Sequence, residues 1–265
     1  MDLLQSVILG FIQGITEWLP ISSTGHLRIA EHYFGLAVPS LFDVILHVGT
    51  LIVTLVYFRK DILKVLRALA RLDFRSEDGL LIPLIILGTI PTVVIGFLYG
   101  YGNELDTALS TVLALGIGFL VSGVVLYLSK FGRESKLGIT YVDALIIGIM
   151  QGLAVIPSIS RSGFTIAAAL LLGIKREKAF KFSFLLSIPS ILGALGLTLY
   201  QQEAELATAG VGLLEVLAGV LVSIFVSFIA LKFLWRIIAG KKFYLFAFYC
   251  FALGAVLVAL NFVWV

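Results

Sequence analysis

The sequence predicts an all-α polytopic membrane protein, an inverted-topology repeat with six transmembrane helices and two re-entrant helical hairpins that meet near the bilayer midplane. Three observations carry this expectation. Of 265 residues, 60% are hydrophobic and only 13% charged, with a mean hydropathy of +1.10. Soluble domains run nearer to about 45–50% apolar and about 25% charged. Two of the apolar regions are interrupted by Pro, Gly and Ser clusters, and one of these regions repeats the other at a fixed spacing.

The elements follow in order along a single membrane domain, 1–265. Residues 3–39 form the first interrupted region; apolar runs near 41–58, 80–98 and 108–129 follow, each long enough to cross about 30 Å of hydrocarbon. Residues 140–172 form the second interrupted region, and runs near 182–200, 211–235 and 243–264 complete six spans. Where Pro and Gly break a helix, backbone N–H and C=O groups are freed that lipid cannot satisfy, so such segments fold back inside the bundle. Residues 61–72, DILKVLRALARL, are amphipathic and read as an interfacial connector, with a helix gripping anionic headgroups as the alternative.

Charge orients the spans. Lys and Arg gather at 59–75, 130–136, 175–181 and 232–242, whereas 99–107 and 201–210 carry Glu104, Asp106, Glu203 and Glu205 and no basic residue. The positive-inside rule places the four basic connections in the cytoplasm and the acidic two outside. Residues 140–172 must then leave and return on the cytoplasmic side, although two thin spans would satisfy the charges equally. The net charge of +3 is small, and nothing in it suggests nucleic-acid binding. The one cysteine, Cys250, lies in an apolar run and is silent about redox compartment. The N-terminus lacks a basic n-region and a small-residue cleavage site, so no removable signal peptide is read.

A shift of 138 residues lays ILGFIQGITEWLPISSTGHL over IIGIMQGLAVIPSISRSGFT without a gap. Gly10 meets Gly148, Gln13 meets Gln151, Gly14 meets Gly152, Ser22 meets Ser160 and Gly25 meets Gly163. Each half, about 1–130 and 139–265, is then one hairpin and three spans, and an odd number of spans inverts the second copy. Inverted repeats with discontinuous helices put their binding site where the broken tips meet.

The tips carry the polar chemistry. Gln13 and Glu17 are four residues apart and share a helix face. Pro20 ends that helix, and Ser22, Ser23 and Thr24 can cap a second one beginning near Gly25. In the other hairpin Pro157 breaks the chain and Ser160 or Ser162 can cap the helix that follows. Two helix N-termini aimed at one site favour an anion, and the fork of Arg161 suits phosphate oxygens. Ser23 and His26 are three apart, within one helical turn, which brings a base to a weak hydroxyl nucleophile. Glu17 has three open roles: orienting the imidazole, taking the proton itself, or holding a divalent cation. The plainer alternatives are a simple Ser cap, a protonated Glu and an anchoring Arg, but ionisable groups at membrane depth are functional by default. His47 and Asp43 either extend the polar site or sit at a span's outer end, the latter being preferred, and Arg28, Glu31 and His32 are read near the outer headgroups. Trp18, Trp235 and Trp264 suit interfacial or packing roles.

QGITEWLPISSTGH together with PSISRSGFT resembles the undecaprenyl-diphosphate phosphatase, or bacitracin-resistance, family, and the similarity extends to FSFLLSIPSILGA at 182–194. The resemblance implies hydrolysis of a C55 polyprenyl diphosphate to the monophosphate and inorganic phosphate, recycling the lipid carrier for cell-wall synthesis. It implies a divalent cation, Mg²⁺ or Ca²⁺, a plasma-membrane location and a site open to the outer face. By motif Gln13 and Glu17 match the acidic element, Ser22, Ser23, Thr24, Gly25 and His26 the serine element, and Ser160, Arg161, Ser162 and Thr165 the second motif. On these residues Ser23 is the expected nucleophile, with His26 as base and then proton donor, Glu17 assisting it or binding the cation, and Arg161 stabilising charge. Ser22, Thr24, Gly25, Ser160, Ser162 and Thr165 bind phosphate, and Glu17 and Gln13 hold the cation. Ser22, or direct attack by water, stays open as the alternative nucleophile. Gln13 departs from the glutamate of many members, and Ser158 replaces the family's glycine. Expected partners are the lipid substrate, membrane lipids and, optionally, a second copy of the chain. The rival class is a secondary transporter or polyprenyl-lipid flippase with an anion site at the same tips.

Overall fold

The computed structural model describes every residue except 36, 37, 39, 101, 102, 202–210, 264 and 265, with the backbone alone at 40, 100, 103–105, 199–201, 262 and 263. Residues 202–210 of the acidic stretch, with Glu203 and Glu205, and Trp264 therefore lie outside its description. The first half contains α1 (Leu3–Thr16), α2 (Ser23–Phe34), α3 (Ser40–Tyr57), α4 (Arg59–Ala70), α5 (Glu77–Gly100), α6 (Asn103–Leu109) and α7 (Val112–Leu128). The second contains α8 (Tyr141–Leu153), α9 (Arg161–Leu171), α10 (Arg176–Gln201), α11 (Leu213–Ala239) and α12 (Phe246–Val263).

Among the described residues five helices are long and apolar enough to span a membrane, and α3 with α4, bent 77° between them, makes a sixth if the pair counts as one span. The amphipathic connector begins at Arg59, two residues earlier than its sequence pattern suggested. The bilayer-facing sides are apolar: Ile90, Val94 and Phe97 on α5 and Leu217, Leu221 and Phe225 on α11 are all exposed, as expected where lipid is the solvent.

The hairpin helices are too short to cross. At a rise of 1.5 Å per residue, the 14 residues of α1 reach about 21 Å and the 11 of α9 about 17 Å. Their starts are specified twice over. Asp2 caps α1 in a reciprocal box with Gln5, both bonds 2.8 Å, and Thr140 and Asp143 do the same for α8 at the equivalent positions. Ser22 caps α2 by accepting from Gly25 N–H at 3.2 Å, and Ser160 caps α9 by accepting from Gly163 N–H at 3.1 Å. The S-x-x-G repeat is thus first of all a pair of N-caps.

Packing is exchanged between the halves. Helix α1 lies chiefly along α11, with Gly10 against the backbone of Gly219; α8 lies chiefly along α5, with Gly148 against the backbone of Gly88. Only a residue without Cβ permits so close an approach. At the tips a Cβ on Gly25 would sit 2.9 Å from Ser158 Cα, and one on Gly163 would sit 3.2 Å from Pro20 Cβ. Each hairpin therefore seats a glycine on the turn of the other, at equivalent positions.

The connections sort by charge as the chain folds. Lys178 pairs with Glu77 at 2.7 Å, Lys181 with Asp61 at 2.7 Å, and Arg176 with Glu134. Lys130 lies over the ring of Tyr244 at 5.3 Å. These contacts bring the four basic connections to one end, and the far end of α9 joins them through Ile174 beside Lys136. Helix α2 runs the other way: Arg28 reaches Asp106 at 3.7 Å, beside Tyr99, in the acidic connection.

Candidate active site

Glu17 is the hub. It caps the C-terminus of α1, its N–H bonded to Gln13 C=O, and its side chain is 4% exposed. One carboxylate oxygen accepts from Arg161 Nη2 of the other hairpin. The second accepts from Ser23 Oγ at 2.7 Å and from Gln13 Nε2 at 3.1 Å, and lies 3.3 Å from His47 Nε2. Such crowding is what a carboxylate at this depth requires, since an unpaired buried charge is strongly destabilising and pairing with hydrogen bonds offsets part of that cost.

The sequence reading paired Ser23 with His26, and the structure corrects it. Ser23 opens α2 and turns its hydroxyl toward Glu17. His26 folds back one turn, with Nδ1 2.7 Å from the Ser22 carbonyl oxygen and Nε2 2.6 Å from Tyr249 Oη. The reason is local: at the first turn of a helix the carbonyl of the capping residue offers a nearby polar partner, and Tyr249 of α12 stacks on the ring at 5.7 Å. Phe119 closes the other side edge-on at 5.3 Å. His26 thus braces the start of α2.

For His47 the structure favours the less preferred of the two sequence readings. It extends the polar site, with its imidazole on Glu17 and Nδ1 2.8 Å from the Asp43 carbonyl oxygen, rather than sitting at a span's outer end. The available signal was an ionisable side chain in the middle of the apolar run of α3. Glu31, placed near headgroups by sequence, is also buried, with Arg28 3.3 Å away.

The remaining motif residues gather at the same junction. Ser162 donates to the Trp18 carbonyl at 3.1 Å and lies 3.3 Å from Ser160 Oγ, so it ties the tips together rather than capping α9. Thr165 donates to the Arg161 carbonyl at 2.8 Å, and Thr24 is half-buried. Gln151, the counterpart of Gln13, turns away to Ser190 at 2.8 Å and Thr92 at 3.2 Å. The two halves share a frame, then, but only the first keeps its glutamine on a carboxylate. Ser22 and Ser158 both adopt left-handed backbone, φ 66° and 67°. The glycine expected at 158 would adopt this conformation freely; serine holds it at a cost, and strain of this kind clusters at functional sites. Beyond Arg161 a small cavity is lined by Trp18, Ser162, Thr165, Ser183, Phe184 and Ser187. Among the described residues the buried Ser183 Oγ and Trp18 Nε1 have no hydrogen-bond partner; the sequence assigned Trp18 only an interfacial or packing role and gave Ser183 none.

For a divalent cation the donor set is modest but fitting. Gln13 gives its amide N–H to Glu17 and, among the described residues, leaves Oε1 buried without a partner, beside a carboxylate. Among the described residues no three His, Cys, Asp or Glu side chains gather as ligands. One carboxylate and one amide oxygen match the habit of Mg²⁺, which takes few protein ligands and completes its shell with phosphate oxygens and water.

Fold and site together define a polytopic membrane protein whose polar centre, suited to an anion, lies at the crossing of two helical hairpins. Comparison with known proteins carries this further: residues 6–256 match the family described as "Bacitracin resistance protein BacA", and the chain belongs to that family. It is 40% identical over 268 residues to a protein named undecaprenyl-diphosphatase from Carboxydothermus hydrogenoformans, covering 98% of each chain. A protein of the same name from Desulfosudis oleivorans is 42% identical over 275 residues, 97% of each chain. One from Methanosphaera stadtmanae is 39% identical over 278 residues, 98% of this chain and 99% of its own.

Proposed function

We propose that the chain hydrolyses undecaprenyl diphosphate to the monophosphate and inorganic phosphate, returning the lipid carrier to cell-wall glycan synthesis. The observation that carries this reading is the contact line Arg161–Glu17–Ser23, which sets a guanidinium, a carboxylate and a hydroxyl against one another where two helix N-termini meet. Entering substrate exchanges the carboxylate of Glu17 for its own distal phosphoryl oxygens on Arg161. First-turn N–H groups of α2 and α9 add positive potential. Stabilising charge on the equatorial oxygens is the main task in phosphoryl transfer.

Ser23 Oγ attacks the distal phosphorus while its proton passes to Glu17, to which it already donates. The bond to the bridging oxygen breaks and undecaprenyl monophosphate departs. Glu17 gives up that proton to solvent as the monophosphate leaves. Water then attacks the phosphoserine phosphorus, Glu17 takes the water's proton and returns it to Ser23 Oγ as the O–P bond breaks, and phosphate leaves. If water attacks directly, Glu17 serves it as base. On this reading His26 is a positioning residue, through Ser22 and Tyr249. A divalent cation, held by Glu17 and Gln13 when bound, would supply charge neutralisation of the diphosphate.

The site opens toward the acidic, outer side of the cytoplasmic membrane, and the polyprenyl tail lies among the spans. A transporter needs a cation and helix dipoles but no hydroxyl held on a carboxylate, so transport is not favoured. The test is phosphate release from undecaprenyl diphosphate by the purified chain in detergent, where no gradient exists. Release in Mg²⁺ or Ca²⁺ that is lost in Arg161→Ala is expected; no release from the wild type overturns the reading.

A further inference from the structure

At the end of the molecule opposite the mouth of the first hairpin, a second cavity of about 420 Å³ opens between the 3₁₀ turn Ser129–Phe131, the start of α10 and the turn before α12. Its lining includes Lys130, Arg133, Arg176, Lys241 and Tyr244, with Glu134 as the one carboxylate. Glu134 is already neutralised by Arg176. Three cations, Lys130, Arg133 and Lys241, are left without a carboxylate among these lining residues, all three exposed. Lys130 is held over the rings of Tyr127 and Tyr244 at 5.8 and 5.3 Å, a contact that fixes its position but not its charge.

Lys241 stands on the turn that ends α11. It adopts left-handed backbone, φ 60°, just after α11. Gly or Asn takes that conformation at little cost, and lysine does not. Just past the C-terminus of α11 its charge also suits the negative end of the helix dipole, and it stands at the edge of the cavity. The flanking residues Leu128, Phe131 and Leu245 are exposed and apolar, so the basic cavity borders a surface made for hydrocarbon.

We propose that this cavity binds the phosphate headgroup of an anionic glycerophospholipid, with the acyl chains lying along Leu128, Phe131 and Leu245. Basic pockets between membrane helices at the positively charged end recognise such headgroups, each Lys or Arg adding about fivefold in affinity. The size suits a headgroup and exceeds what a bare ion needs. This site shares no residue with the catalytic centre and does not depend on the reaction assigned to it.

The test uses the purified full-length chain in neutral detergent, with bound lipids counted by native mass spectrometry. Phosphatidylglycerol is expected to bind at least tenfold more tightly than phosphatidylcholine. The exposed-residue variants Arg133→Gln and Lys241→Gln should each reduce that preference about fivefold, and the double variant should nearly erase it, with phosphate release in detergent unchanged. Equal binding of the two lipids to the wild type, or a preference that survives in the double variant, overturns the proposal. Full displacement of phosphatidylglycerol by inorganic phosphate, at the concentration that itself saturates the site, overturns the lipid assignment in favour of a free-anion site.

Discussion

Arg161, the first residue of α9, donates to Glu17, the residue that closes α1, and this ion pair joins one hairpin tip to the other. Both side chains are largely buried, 19% and 4% exposed. Each charge is tolerated there because of the other, so the pair is both a lock on the fold and a stored site for phosphate. Arg161→Ala should lower kcat/KM for phosphate release by roughly 10²–10³, and it should also destabilise the chain, since it strands a buried carboxylate. Arg161→Lys should recover folding more than activity, because an ammonium restores the charge without the planar fork. Thermal unfolding in detergent beside the release assay separates the two effects; a fully active lysine variant would remove the fork from the argument.

Ser22 and Ser23 are adjacent but face different tasks. The first caps α2 and the second donates to Glu17. Ser23→Ala should abolish release or leave a small residual rate, whereas Ser22→Ala should cost about 1 kcal/mol of stability and keep a measurable rate. His26→Gln should be milder than Glu17→Gln, because the imidazole touches Ser22 and Tyr249 rather than the hydroxyl. Steady-state rates for the four variants check this, and a His26→Gln rate as low as that of Glu17→Gln would return the base role to histidine.

Much of the frame was legible because membrane folding exaggerates local signals. The interrupted regions 3–39 and 140–172 contain the four short helices of the two hairpins, and the matched serines and glycines proved to be matched caps and crossings. Basic connections gathered at one end because charge is the strongest guide to which side a loop occupies. The site's partners were harder. His47 is 30 residues from Glu17; its place in an apolar run hinted at a site role, but the local pattern does not say which partner its imidazole meets. Tyr249 is 223 residues from His26. Spacing alone allowed Ser23 and His26 to meet; the cap carbonyl and Tyr249 claimed the ring instead.

The glycine crossings predict a selective pattern of damage. Any Cβ at Gly148 would be driven into the backbone of Gly88, and at Gly10 into that of Gly219, where neither side can yield. Gly148→Ala and Gly10→Ala should each cost more than about 1 kcal/mol and lower the unfolding temperature in detergent. Gly193, also in a helix, meets nothing within 4 Å, so Gly193→Ala should be neutral or slightly stabilising through helix propensity. Equal shifts at all three positions would show that helix–helix approach is not what these glycines serve.

Gln13 gives the sharpest test of the cation. Its amide N–H rests on Glu17 while its carbonyl oxygen has no partner among the described residues. Gln13→Glu replaces that donor with a second carboxylate against the first, which repels when no cation is present and chelates when one is. The variant should therefore unfold at a lower temperature than the wild type in chelator, and gain more stability on adding Mg²⁺ or Ca²⁺. Its half-saturating cation concentration should fall by about tenfold, one charge–charge contact at short range in a partly screened site. Gln13→Leu, which fills similar space without an oxygen, should raise that concentration instead. Thermal unfolding against cation concentration reads both directions without relying on turnover; if neither variant changes the response to cation, Gln13 and Glu17 do not hold the ion.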